Sequence, residues 1–135
     1  MATRGIRGAT TVAADDAEAI LLATQELLRE IMKENSGLRA EDLSSVLFTL
    51  TEDLRAAYPA QGARQMGWEA VPMVCAQEIP VPGSLPKVLR VLVQWNTDRA
   101  QSEIRHVYLR DAVKLRPDLS CAEPTALTGL EEKPA

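Results

Sequence analysis

The residues with chemistry to offer gather in one stretch, CAQEIPVPGSLPKVLR, residues 75–90. Cys75 and Glu78 stand on one side of a proline-rich turn, and Arg90 stands on the other, inside an apolar run. A charge in such a run is costly unless something pairs with it. Period two along VLRVLVQW sets Leu89, Val91, Val93 and Trp95 on one face and Arg90, Leu92 and Gln94 on the other. The first set is core, so Arg90 points away from it. Two readings stay open. Arg90 makes a structural ion pair, with Glu78 as the candidate partner, or it is held for a ligand whose hydroxyl Glu78 orients.

The remaining reactive groups are weak candidates for acid–base or nucleophilic work. Cys75 reads as a small buried hydrophobe, and nothing near it in sequence marks a reactive thiolate. His106 has no evident orienting acid and reads as a core or interface histidine. Tyr108, expected on the same strand face as His106 and Ile104, reads as a half-buried sheet tyrosine. GSLPK lacks the spacing of a phosphate loop. One histidine and two cysteines, Cys75 and Cys121, form neither a metal-ligand pattern nor a disulfide framework. No metal and no cofactor is expected. What stands out is arginine, which supplies eleven of the fifteen basic residues. Arg7, Arg90, Arg64 and Arg116 lie in or beside apolar segments. Fixed guanidinium forks suit a small polyanion whose reaction needs charge stabilisation more than proton transfer.

These side chains must be positioned by a single domain, since 135 residues support one core. Hydrophobic content of 46% and charged content of 25% are those of a soluble globular protein. No apolar run approaches the ~20 residues that span a bilayer, and the N-terminus lacks the apolar region of a secretory signal. The cytoplasm is the expected location, with both thiols reduced. A net charge of -4 argues against a nucleic-acid binder.

RGIRGATTV opens the chain as a strand, with Arg4, Ile6 and Gly8 on one face and Gly5, Arg7 and Ala9 on the other. Its glycines would let another backbone approach. A long helix follows. Asp15 with Glu18 has the spacing of a capping pair, Asp16 is the alternative cap, and the stripe Ala17, Ile20, Leu21, Thr24, Leu27, Leu28, Ile31 ends at Gly37. SSVLFTLT predicts a strand covered on both faces. A short helix is expected over 59–66, with Pro59 at its start. EAVPMVCA, KVLRVLVQWNT and IRHVYL predict three more strands, with IPVPGSLP as a rigid loop. The expected architecture is α+β: a single mixed sheet of about five strands with one long and one short helix. Two helices cover one sheet face at best, so the other face calls for a partner and for oligomerisation. Residues 1–119 form the domain, and 120–135 read as a flexible tail.

RGIRGATTV, VPMVCAQEIPVPGSLPKVLRVLVQWNT and IRHVYLRDAVKLRPDL together resemble the monofunctional chorismate mutases of the bacterial trimeric type, in order from Arg4 to Leu119. The resemblance implies a homotrimer with a barrel-like β core, active sites at subunit interfaces, and the rearrangement of chorismate to prephenate on the route to phenylalanine and tyrosine. It implies that Arg7 binds a carboxylate near the ether oxygen and that Arg90 faces the ether oxygen and a carboxylate. By the same resemblance Glu78 and Cys75 approach the ring hydroxyl, and Tyr108 contacts the side-chain carboxylate. Arg64, Leu115 and Arg116 complete the substrate contacts, with Tyr58 and Val74. Tyr58 stands where phenylalanine is common, Gln61 where a lysine can stand, and Val74 where some relatives have threonine. The segment between Pro59 and Trp68 is one residue shorter than in some members, which bears on Arg64. The competing readings are a trimeric enamine or imine deaminase-like enzyme and a non-catalytic trimeric anion-binding module.

Overall fold

A computed structural model of the chain describes residues 1–116. The apolar stripe of the N-terminal half forms helix α1 (Ala17–Glu34), and it buries Ile20, Thr24, Leu27, Leu28 and Ile31 on one face. Asp16 is the N-cap: its carboxylate accepts the Ala19 N–H at 3.0 Å, which satisfies a donor that a helix start leaves open. Asp15 does something else. It accepts the backbone N–H groups of Arg55 and Ala56, both at 2.8 Å, and so ties the helix start to the 51–58 loop. At the other end Gly37 takes φ +87°, a conformation that favours a residue without Cβ. The fully buried Asn35 closes the helix there. Its Nδ2 donates to the carbonyls of Ile31 and Arg105, and its Oδ1 accepts the Arg105 N–H, each at 2.9 Å.

Five strands, β1 (Ala2–Thr11), β2 (Leu43–Leu50), β3 (Met73–Gln77), β4 (Val88–Thr97) and β5 (Val107–Tyr108), form one sheet in the order β3-β2-β4-β1-β5. The central β4 runs antiparallel to both β1 and β2, whereas β2–β3 and β1–β5 are parallel pairs, so the sheet is mixed. The parallel step from β2 to β3 needs a crossover, and helix α2 (Pro59–Gln65) lies within it. Pro59 occupies the first turn, where its missing N–H costs nothing. The inner face of the sheet, with Ile6, Phe48, Val91, Val93 and Trp95 buried, packs on α1 and α2 in one core. At Gly8 the approach is by side chains of α1 and β4, not by another backbone. An added Cβ would lie 2.8 Å from Ile31 Cδ1 and 2.9 Å from Val91 Cγ1.

Three expectations change. β5 is two residues long where IRHVYL suggested six. A 3-10 turn at Gln101–Glu103 precedes it, and Ile104 then drops into the main core. Tyr108, only 4% exposed, packs with Ala9 and Ala112 in a separate cluster. Ile104 and Tyr108 therefore do not share a face, and Tyr108 is buried. β2 is also covered on one face only. On the outer face Leu47 pairs with Val74 of β3 and Leu92 of β4, and these three side chains stay 39%, 63% and 37% exposed.

The expectations for the tail over 120–135 and for Cys121 lie outside the described residues. No helix among the described residues is long and apolar enough to cross a membrane.

Candidate active site

The outer face of the sheet brings together residues that are far apart in the chain. Ala9 pairs with Arg90 on one side and with Tyr108 on the other, and Arg7 shares the face of Ala9 one step along β1. The Arg7, Arg116 and Arg90 guanidinium groups all act electrostatically on the Tyr108 phenol, Arg7 most strongly. Burial pushes Tyr108 above its ordinary value, and the three cations offset that only in part. A 3-10 turn at Arg110–Lys114 carries the chain back past β1. Leu115, next in sequence, packs against the Ala9–Tyr108–Ala112 cluster, and Arg116 follows it.

Arg90 and Glu78 are in contact. Arg90 Nε lies 3.1 Å from Glu78 Oε2, the distance of an ion pair. The N–H does not point at that oxygen, so the Nε is buried without a hydrogen-bond acceptor among the described residues. The Thr49 hydroxyl donates to the same Glu78 oxygen. Thr49 pairs with Arg90 in the β2–β4 register, so the three side chains form a short row across the sheet. The Arg90 side chain as a whole is 43% exposed, which corrects the expectation of a strand closed to water: one chain leaves this face open. An ion pair and an unused donor thus coexist at one guanidinium. An unmet buried N–H costs about 1–3 kcal/mol, and such costs concentrate at functional sites.

The other candidates lie on β3 and on α2. Val74 is on the outer face of β3. Cys75, its neighbour, turns to the inner face opposite Phe48 and packs against the core. Tyr58 is exposed at the N-cap of α2, and Arg64 is exposed in its last turn. Tyr58 and Cys75 line one groove of about 520 Å³ beside the two helices, while Glu78 lines another with the proline loop. Tyr108 on β5 and Val74 on β3 occupy the two edges of the sheet. Four strand spacings of ~4.8 Å separate them by roughly 19 Å. One chain therefore brings together Arg7, Glu78, Arg90, Tyr108, Leu115 and Arg116, while Tyr58, Arg64 and Val74 stand away from Tyr108 and Cys75 turns to the inner face of the strand that leads into Glu78.

Thr49 escaped the sequence reading. The β2–β4 register sets it opposite Arg90, and its bond to Glu78 joins residues 29 positions apart, which no local pattern contains. Among the described residues, no group of three or more His, Cys, Asp or Glu side chains could hold a metal ion. The chemistry available is electrostatic: several guanidinium groups around a buried phenol and one carboxylate.

Fold and site together define a class, an α+β subunit with one mixed sheet whose polar site is built from arginines rather than from a nucleophile and its base. Within that class, the chain belongs to the chorismate mutase type I family, whose profile matches residues 3–119. It is 57% identical over 120 residues to chorismate mutase AroH of Thermus thermophilus, an alignment covering 89% of this chain and 98% of that protein. It is 48% identical over 128 residues to chorismate mutase AroH of Bacillus subtilis, covering 94% of this chain and 100% of that protein. A solved chorismate mutase from Clostridium thermocellum superposes with a TM-score of 0.78 at 49% identity, over 80% of this chain and 96% of that one.

Proposed function

We propose that this protein catalyses the rearrangement of chorismate to prephenate, in the biosynthesis of phenylalanine and tyrosine, at sites each shared between two copies of the chain in a homotrimer. The observation that carries the reading is the register that sets Arg90 and Tyr108 on either side of Ala9, with Arg7 on the same face, in a chain of the chorismate mutase type I family. Chorismate carries two carboxylates and an ether oxygen that gains negative charge as its C–O bond breaks. The reaction is a single pericyclic step, so no proton has to move and no covalent intermediate forms. The protein supplies a compact substrate conformation and positive charge where the transition state needs it.

In this reading Arg90 turns its unused Nε–H to the ether oxygen, and Arg7 and Tyr108 bind carboxylate. Glu78, already holding Thr49 and Arg90 through Oε2, accepts the ring hydroxyl, with Cys75 nearby. Tyr58, Arg64 and Val74 come from the edge of a neighbouring copy, and Leu115 with Arg116 closes the pocket. The exposed row of Leu47, Leu92 and Val74 becomes the contact between copies, in the barrel-like β core. No cofactor takes part, residues 1–119 form the working domain, and the cytoplasm is the proposed location.

The test is direct. Purified protein is incubated with chorismate and the ultraviolet absorbance of chorismate is followed, while sedimentation gives the subunit number. Loss of chorismate by a trimer supports the reading. A folded trimer that leaves chorismate untouched overturns the activity, and an active monomer overturns the shared site.

A further inference from the structure

The β1 edge facing β5 is only partly paired. β5 meets β1 at Gly8 and Ala9, and the Leu109 N–H then donates to the Ala9 carbonyl at 2.9 Å. Towards the N-terminus no strand among the described residues continues the ladder, and backbone groups outside a ladder are satisfied otherwise. Side chains do this. The Gln101 amide bonds both backbone groups of Gly5, accepting its N–H at 3.0 Å and donating to its carbonyl at 2.8 Å. His106 Nδ1 accepts the Arg7 N–H at 2.9 Å.

We infer that His106 is a positioning residue for Arg7: its neutral imidazole replaces a strand carbonyl, fixes the backbone from which the Arg7 guanidinium reaches Tyr108, and releases it on protonation. The catalytic part of this inference rests on the proposed chorismate mutase reaction. The hydrogen bond does not. Only an unprotonated Nδ1 can accept, so the bond selects the Nε2–H tautomer. An imidazolium would set an N–H against the Arg7 N–H. It would also add a positive charge beside the two groups that already act on the ring, Arg7 from β1 and Arg116 from the segment after the 3-10 turn. Tyr108, two residues on, shares those cations. Arg105, the preceding residue, turns to α1 and pairs with Glu34 at 3.7 Å. Burial and the two arginines hold His106 below the ordinary 6.5, so the neutral form prevails near neutrality and the release belongs to acid pH.

His106 is the sole histidine of the sequence, so its ring nitrogens give unambiguous long-range 1H–15N signals in the full-length protein. The expected result is an Nε2–H tautomer at alkaline pH, a titration below 6.5, and an Arg7 amide whose shift and exchange rate follow that titration. His106→Asn places Oδ1 where Nδ1 was and should keep kcat/KM within about twofold while removing the acid step from its pH profile. His106→Gln moves the acceptor further out and should lower kcat/KM about tenfold, the worth of one hydrogen bond. An Nδ1–H tautomer, an Arg7 amide indifferent to the titration, or a Gln variant as good as the Asn variant would overturn the inference. The resonance measurements need no substrate, so a protein inactive on chorismate would sink the reaction and leave this bond to be judged alone.

Discussion

Arg90 and Glu78, on the outer face of the sheet, meet at 3.1 Å between Nε and Oε2 without a hydrogen bond between them. The geometry separates two jobs. The carboxylate, itself held by the Thr49 hydroxyl, fixes where the guanidinium sits, while the Nε–H direction is left for something else. A preorganised donor of this kind costs little reorganisation when charge develops beside it.

Arg90→Lys tests that donor. A lysine keeps the charge and loses the planar fork. The expected loss is a few hundredfold in kcat, about 3–4 kcal/mol of transition-state stabilisation, with the fold intact. Steady-state kinetics on chorismate with a circular dichroism control gives the answer. Near-normal turnover would remove Arg90 from the centre of the mechanism.

Thr49→Val removes the hydroxyl that holds Glu78 while nearly preserving shape. A hydrogen bond to a charged group is worth about 1.5–3 kcal/mol, so kcat/KM should fall about tenfold or more as Glu78 loses its orientation. Unfolding in urea should change far less than activity. Equal losses in both would make Thr49 a purely structural residue.

Much of this arrangement was legible in the chain, and the illegible part was non-local. The α1 stripe and the alternation of β4 follow local periods, and the structure buries Leu27, Leu28, Ile31, Val91 and Val93 accordingly. β5 failed because alternation in IRHVYL carries no information about what it pairs with. The bonds of Asn35 to both backbone groups of Arg105 hold that stretch against the helix end instead. Period two assigned Arg7 and Arg90 their faces. Their meeting at Tyr108 depends on the register of Ala9 with two different strands, which no window along the sequence contains. The pairing of Arg90 with Glu78 stayed open for the same reason, and only the family resemblance gathered the site residues into one list of roles.

Gly8→Ala tests how closely α1 seats on the sheet beneath Arg7. The added Cβ would meet Ile31 Cδ1 at 2.8 Å, Val91 Cγ1 at 2.9 Å and Leu27 Cδ1 at 3.3 Å. Overpacking a core by a methyl group costs about 1–3 kcal/mol. The midpoint of chemical unfolding should drop accordingly, with m unchanged. No change in stability would mean that the helix can retreat at no cost.

His106 also makes a stability prediction. Its pKa is lowered in the folded chain by burial first and then by Arg7 and Arg116. The unfolded chain therefore binds more protons than the folded one below about 6.5, the unperturbed histidine value. Stability must then rise with pH through that window and fall as pH drops from 6.5 toward the folded value. Urea midpoints measured across the acid range should slope this way in the wild type and flatten in His106→Asn. A slope that survives the substitution would assign it to another group.

The separation of Tyr108 and Val74 by the whole width of the sheet leads to a test of shared sites. Arg90→Ala disables the arginine half of a site, and a joint Tyr58→Ala and Arg64→Ala variant disables the edge half. Each should be inactive alone. If every site takes one half from each of two copies, co-refolding the two variants in equal amounts should restore activity. Random mixing gives both intact halves to about a quarter of the sites in a ring of identical interfaces. Wild-type subunits diluted into either variant provide the calibration. If each chain instead housed a whole site, no hybrid could combine intact halves, and the mixture would stay as inactive as its components.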